Sequence, residues 1–239
     1  AVAIKQLVKD TGAKSRSANI ALPESQVFTR VIEMPSLSTR ELASALRWEA
    51  EQYIPLPLDQ VNMDFSILRD AKETGTSKME ILLVACPKAL LDKYTYYLDE
   101  ADINVVGVET EIIAVCRILA RATANIPASM VISLGAQTTD VAILRHGVLA
   151  FTRSISAGGD ALSRAVAQGL SLEVAQAEEY KKTYGLGSAG LEGKIAKAMS
   201  PVFNIIVDEI KRTMDYYRNE TKSEMPSSII ISGGGSKLS

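Results

Sequence analysis

The sequence predicts a mixed α/β fold that carries an inserted α+β module, and three observations support that class. From "NVVGVE" onward, apolar strands alternate with amphipathic helices, the pattern of a layered α/β domain. Over roughly residues 26 to 102 the order is instead strand, helix, strand, strand, helix, a self-contained α+β grammar. Three glycine turns then punctuate the second half, at Gly135, at Gly158 and Gly159, and at Gly233, Gly234 and Gly235. With 239 residues the chain has room for one large domain or two ordinary ones of about 100–200 residues.

Each element has a local justification. Ile4, Leu7 and Val8 lie at helical spacing and Gly12 closes that helix. "SANIALP" reads as a strand, and so does "QVFTRVIEMP", whose Val27, Phe28, Val31 and Ile32 favour β structure before Pro35. In "SLSTRELASALRWEAEQYIPLP" the spacing of Ser38 and Glu41 forms a capping box. Leu42, Ala45, Leu46, Ala50 and Tyr53 then share one face, and Pro55 and Pro57 end the helix. Trp48 falls off that stripe, so it is expected at the surface, where it would suit a partner contact.

"VNMDFSILRD" alternates Val61, Met63, Phe65 and Ile67 with polar residues, as a half-buried strand does. A loop, "AKETGTSK", leads to the apolar strand "MEILLVAC" and to a helix with Leu90, Leu91, Tyr94, Tyr97 and Leu98 on one face. After "NVVGVE" come the helix "EIIAVCRILARA", the strand "SMVISL", a hairpin through His146 and Gly147, and helices from about Asp160, Ser171 and Leu191. The strand "SSIIIS" runs into the last glycines ahead of an expected helix.

Composition narrows the function classes. Hydrophobic residues at 47% and charged residues at 23% are globular values, and no window approaches the roughly 20 apolar residues of a membrane span, so direct membrane insertion is not expected. A net charge of −2 without a basic cluster argues against nucleic acid. Cys86 and Cys116 sit in apolar segments and read as buried reduced thiols, which points to the cytoplasm. His146, the sole histidine, precedes Gly147 and reads as a hairpin residue. The opening "AVAIKQLVKD" and the closing "SGGGSKLS" both read as cut ends of a longer chain.

Four stretches can carry chemistry. In "LGAQTTD" the turn of Gly135 and Ala136 has little bulk and the hydroxyls of Thr138 and Thr139 follow it, which suits either phosphate oxygens or an ordinary hairpin. Gly158 and Gly159 precede a helix whose N-terminus favours an anion, although Asp160 can serve there simply as the cap. Glu178 and Lys181 are three apart on a helix, placed either to bond ribose hydroxyls and flank a purine or to form a solvated ion pair. The turn of Gly233, Gly234, Gly235 and Ser236 ends an apolar strand, as nucleotide-contact turns do, but matches neither GxGxxG nor a P-loop.

In this order, the four stretches resemble the second half of the actin-like ATPase (ribonuclease H-like) fold shared by actin, heat-shock chaperones, sugar kinases, MreB and FtsA. Within that superfamily "RELASALRWEAEQYIPLPLDQVNMDF", with its Trp48 to Pro55 string, resembles the PilM family of type IV pilus assembly proteins, and "IALPESQVFTRVIEMP" agrees. The resemblance implies residues 1–25 and 103–160 in one actin-like subdomain, 26–102 as the small inserted subdomain shared with FtsA, and 161–239 in an incomplete second lobe. It implies that Gly135, Ala136, Gln137, Thr138 and Thr139 form the second phosphate loop. Glu178 and Lys181 would lie at the ribose and adenine, Gly233, Gly234, Gly235 and Ser236 at the adenosine, and Gly158 and Gly159 along the cleft.

The implied cofactors are ATP and Mg²⁺, and the implied role is an ATP-binding scaffold of the inner-membrane pilus platform. Its expected partner is the N-terminal cytoplasmic segment of PilN, with other platform proteins and motor ATPases nearby and self-association left open. The resulting location is cytoplasmic and peripheral to the inner membrane. Two departures bear on hydrolysis. Ser133 stands where the superfamily's second phosphate motif begins with an aspartate, and the first phosphate hairpin would precede residue 1. Slow or absent turnover is therefore expected, with an active actin-like ATPase or an FtsA-like filament former as the alternatives.

Overall fold

In this computed structural model, which describes residues 1–187, 190–221 and 225–238, the first element is α1 (Val2–Thr11), closed by left-handed Gly12 at φ 64°. Strand β1 (Ser17–Leu22) and strand β2 (Phe28–Pro35) follow, as their β-branched residues predict. Helix α2 (Thr39–Tyr53) starts on the expected capping box: the Ser38 side chain accepts from the Glu41 N–H, and the Glu41 carboxylate accepts from the Ser38 N–H at 2.9 Å. Such a cap contributes about 1 kcal/mol.

Strand β3 (Val61–Arg69) begins with the expected alternation but loses it at Ile67, which is exposed. Its pairing shifts between Ile67 and Arg69, and the extra residue reverses the in-and-out phase. The stretch expected as loop contains a short helix, α3 (Ala71–Thr74), because Asp70 and Glu73 form a second capping box there. Strand β4 (Lys78–Pro87), helix α4 (Lys88–Asp99) and strand β5 (Asn104–Thr110) complete the first of two compact units, Ala1–Val115.

In that unit β2, β4 and β3 form an antiparallel sheet with β4 central, and β1 pairs with β5 in parallel. Burial on both faces explains why β4 reads as a continuous apolar run. Leu42 and Leu46 of α2 pack fully buried with Met79 and Ile81, and Ala50 with Leu83 and Ala85. Removing either leucine side chain costs about 2–5 kcal/mol. Leu90, Leu91 and Tyr94 of α4 pack instead with Leu22, Val27 and Cys86.

The second unit is Cys116–Ser239, and α5 (Glu111–Thr123) crosses the division in sequence. Strands β6 (Ala128–Leu134), β7 (Thr139–Arg145) and β8 (Val148–Ile155) form a meander whose second turn uses His146 and Gly147, both at positive φ. His146 is thus the expected turn residue, and Cys86 and Cys116 are both buried.

Helix α6 (Gly159–Leu170) has Gly158 rather than Asp160 at its cap, so Asp160 lies in the first turn. Helix α7 (Val174–Tyr184) begins three residues after Ser171, which is the left-handed cap of α6, and α8 (Lys194–Thr221) begins after a 3₁₀ segment at Gly190–Gly193 rather than at Leu191. The last strand, β9 (Ser228–Ser232), runs parallel to β6 and gives the sheet order β8-β7-β6-β9. After it the glycines form a 3₁₀ turn, Gly234–Lys237.

Met130, Ile132, Val141 and Ile143 of the sheet bury against Tyr217, Ile210 and Met214 of α8. A second cluster of Leu162, Val166, Ala177, Ile195 and Met199 joins α6, α7 and α8. Among the described residues no helix is long and apolar enough to cross a membrane.

Candidate functional site

The β6–β7 hairpin and the start of α6 are held together by backbone alone. Gly159 N–H donates to Gly135 O at 2.9 Å, and Asp160 N–H donates to Ala136 O at 2.8 Å. The first amides of α6 are therefore engaged by the hairpin instead of standing free for an anion. A Cβ on Gly158 would lie 2.8 Å from both Gly135 O and Ala136 O, so this approach requires glycine. At the tip, Gly135 N–H donates to Thr138 O, while the N–H groups of Ala136, Gln137 and Thr138 have no backbone acceptor among the described residues. That leaves a compact set of donors at a small-residue turn, the arrangement that binds anionic oxygens.

The two threonines diverge. Thr139 is fully buried and its hydroxyl donates to Ala157 O at 2.7 Å. The Thr138 hydroxyl donates to Asp140 at 3.3 Å. Asp140 is buried and also accepts from Ser154 at 2.5 Å. Burial pushes its carboxyl above the usual range, and the bonds from Ser154 and Thr138 only partly offset this.

Helix α7 brings Glu178 and Lys181 to the same place. Lys181 is 6% exposed, and its ammonium lies 2.6 Å from Glu178 Oε2, 2.9 Å from Gly159 O and 2.9 Å from Ser163 Oγ. Lys181 is thus a buried cation and Glu178 a half-buried carboxylate at the cavity wall, rather than the two ends of a fully solvated surface bridge. Ser163 also bonds Glu178 Oε2 by a very short contact, and Lys182 approaches Glu178 Oε1 at 3.3 Å. Burial tends to raise the Glu178 carboxyl, but the bonds from Lys181 and Ser163 and the Lys181 charge outweigh it, leaving the group at about 2.

The turn after β9 closes the site. Gly233 has φ 82°, and a Cβ there would lie 2.5 Å from Leu134 O, so only glycine lets this turn lie against the end of β6. Around the turn opens a cavity of about 450 Å³, within the roughly 300–1,000 Å³ of small-molecule sites. Gly135, Ala136, Gly159, Glu178, Lys181, Gly234 and Gly235 line it. Gln137, Thr138, Thr139, Gly158, Gly233 and Ser236, the other residues singled out from the sequence, do not. The lining also includes Asp160, read from the sequence only as a helix cap, and Lys182, Lys237 and Leu238, which sequence reasoning missed. Lys182 and Lys237 each directly follow a residue that was chosen or the glycine turn itself, which was the available signal. Ser163 had no signal, because its part depends on contact with a different helix.

The first unit carries a separate groove of about 570 Å³, lined mostly by apolar atoms of α1, β1 and α4, including Ile4, Ile20, Tyr94, Tyr97 and Leu98. Trp48 is 74% exposed on α2, as its place off the apolar stripe predicts.

The family described as type IV pilus assembly protein PilM matches residues 1–239. A solved PilM-PilN type IV pilus biogenesis complex is similar with a TM-score of 0.86 and 28% identity, covering 98% of this chain and 67% of that one. Weaker likenesses include MreB5 of Spiroplasma citri bound to AMPPNP, with TM-score 0.46 and 18% identity over 63% of this chain and 54% of that one. Another is the ethanolamine utilization protein EutJ from Carboxydothermus hydrogenoformans, with TM-score 0.45 and 20% identity over 60% of this chain and 48% of that one. The mixed α/β class expected from the sequence holds, and with a match along its whole length the chain belongs to the type IV pilus assembly protein PilM family.

Proposed function

We propose that this protein is an ATP-binding scaffold of the type IV pilus inner-membrane platform, and that it docks the N-terminal peptide of PilN. One observation carries the nucleotide half. Four stretches far apart in sequence, at Gly135–Ala136, Gly159, Glu178–Lys181 and Gly234–Gly235, converge on a single cavity. Its small-residue turns admit a ligand's phosphates closely, and Glu178 is an acceptor for ribose hydroxyls. Among the described residues no group of three His, Cys, Asp or Glu side chains forms a metal cage. A Mg²⁺ ion would therefore come with the nucleotide, held by phosphate oxygens and water.

The peptide half rests on the groove of the first unit and on the likeness to a PilM-PilN complex. Apolar pockets with a tyrosine rim suit an extended segment. In this reading residues 26–102 form the inserted subdomain, residues 1–25 and 103–160 one actin-like subdomain, and residues 161–239 the second lobe. The protein sits in the cytoplasm and reaches the inner membrane through its partners. Turnover is slow at most, because Ser133 offers no carboxylate to help position a metal ion or its waters at the hairpin.

Calorimetric titration with ATP, then with a PilN N-terminal peptide, tests both halves. The expected result is saturable heat in each titration, with the ATP signal weakened by Glu178→Gln. Heat with peptide alone would reduce the protein to a nucleotide-independent adaptor, and polymers forming with ATP would favour a filament former.

A further inference from the structure

Lys181 has no hydrogen left to offer a ligand. An ammonium carries three N–H donors, and three acceptors surround this one: Gly159 O at 2.9 Å, Ser163 Oγ at 2.9 Å and Glu178 Oε2 at 2.6 Å. Ser163, buried behind the cavity wall, has one O–H. It accepts from Lys181, so its own proton goes to Glu178 Oε2, the charged and nearer acceptor, in preference to Gly159 O at 3.0 Å. Both groups therefore hold the same carboxylate oxygen from the protein side. Among the described residues the other oxygen, Oε1, meets only the 59% exposed side chain of Lys182, at 3.3 Å.

We infer that Lys181 and Ser163 are positioning residues, which lock Glu178 Oε2 so that Oε1 is presented as the acceptor for the hydroxyl pair of a ribonucleotide. This rests on the ATP reading above and specifies it: the cavity selects ribose over deoxyribose, and the selection comes from a serine that does not line the cavity. The same contacts transmit position. Gly159 carries the carbonyl that Lys181 grips and the amide that holds Gly135, so the carboxylate and the hairpin tip are tied to one residue. A Cβ at Gly159 would meet Lys181 Nζ at 3.2 Å, a tight contact with the ammonium.

The test compares ATP with 2′-deoxy-ATP on the wild-type protein and on Ser163→Ala and Ser163→Thr, with the Glu178 carboxyl followed by NMR in the ligand-free protein. The wild type should favour ATP by about tenfold, the worth of one hydrogen bond to a charged group. Ser163→Ala should reduce that preference to below about threefold and raise the Glu178 pKa, whereas Ser163→Thr, which keeps the hydroxyl, should retain both. The NMR signal also reports that each variant is folded. A wild type that binds neither nucleotide overturns the ATP reading and this inference with it. Equal affinity for both nucleotides, or a preference that survives Ser163→Ala, overturns the inference alone.

Discussion

Ser133 stands directly opposite Asp140 across the β6–β7 ladder, and Asp140 in turn stands opposite Ser154 on β8. Ser232 of β9 is the partner of Ser133 on its other side, so one polar rung crosses all four strands beside the glycine turn. A single buried carboxylate sits in that rung, and serine at position 133 keeps a second one out.

Ser133→Asp would place a second carboxylate in that rung and should destabilise this fold. Like charges directly opposite in a sheet cost up to about 1 kcal/mol. The Asp140 carboxyl is already raised by burial, and a neighbouring carboxylate raises it further. A raised acid contributes stability below its ordinary value of 3.8 and loses it as pH rises through the folded value. The deficit of the variant should thus be largest at neutral pH and shrink in acid. Urea unfolding at both conditions measures it, and equal midpoints for variant and wild type at neutral pH would refute the argument.

Glu178→Gln should show the opposite pH dependence. Asp160 shares the cavity wall with Glu178; burial tends to raise the Glu178 carboxyl, but Lys181, Ser163 and Lys182 outweigh it and hold the group at about 2. Its contribution is present above the ordinary 4.5 and disappears as pH falls through about 2. The glutamine variant should lose about 2 kcal/mol at neutral pH, since it leaves the Lys181 charge without its partner. The gap between the two proteins should close across the acid range. Persistence of the full gap at the lowest pH would show that the carboxylate is not its source.

Two glycines on the same site should respond differently to alanine. Gly158→Ala drives a Cβ to 2.8 Å from two backbone oxygens of the hairpin, which cannot yield as a flexible side chain can. It should cost about 1–3 kcal/mol and weaken ATP binding by displacing the tip. At Gly234 a Cβ has nothing within 4 Å, so Gly234→Ala should unfold within about 0.5 kcal/mol of the wild type. Thermal unfolding of the pair separates close packing from the general entropy of glycine.

Tyr97 is 46% exposed on the groove of the first unit, so its truncation should leave the core intact. Tyr97→Ala should weaken PilN peptide binding by at least about tenfold, as loss of an aromatic anchor does, and leave ATP binding unchanged. Fluorescence anisotropy with a labelled peptide reads the first effect and calorimetry the second. Undiminished peptide affinity would move the docking site elsewhere.

Much of this protein was legible from neighbours in the chain. The Ser38 capping box, the α2 stripe of Leu42, Leu46 and Ala50, the exposed Trp48 and the turn at His146 all follow from spacing, because each depends on residues within a turn or two. Of the residues marked by the glycine turns and the Glu178–Lys181 spacing, Gly135, Gly159, Gly234, Gly235, Glu178 and Lys181 line one cavity. Other features depend on contacts between distant segments. The bulge that exposes Ile67 arises from pairing with β4, and Thr139 turns away because Ala157, on the chain after β8, offers it a carbonyl. Ser163 and Lys181 meet only because α6 and α7 pack side by side, which turns an apparent surface ion pair into a buried, donor-saturated anchor. Periodicity encodes which face a residue occupies, whereas the partner it finds there depends on how the elements pack.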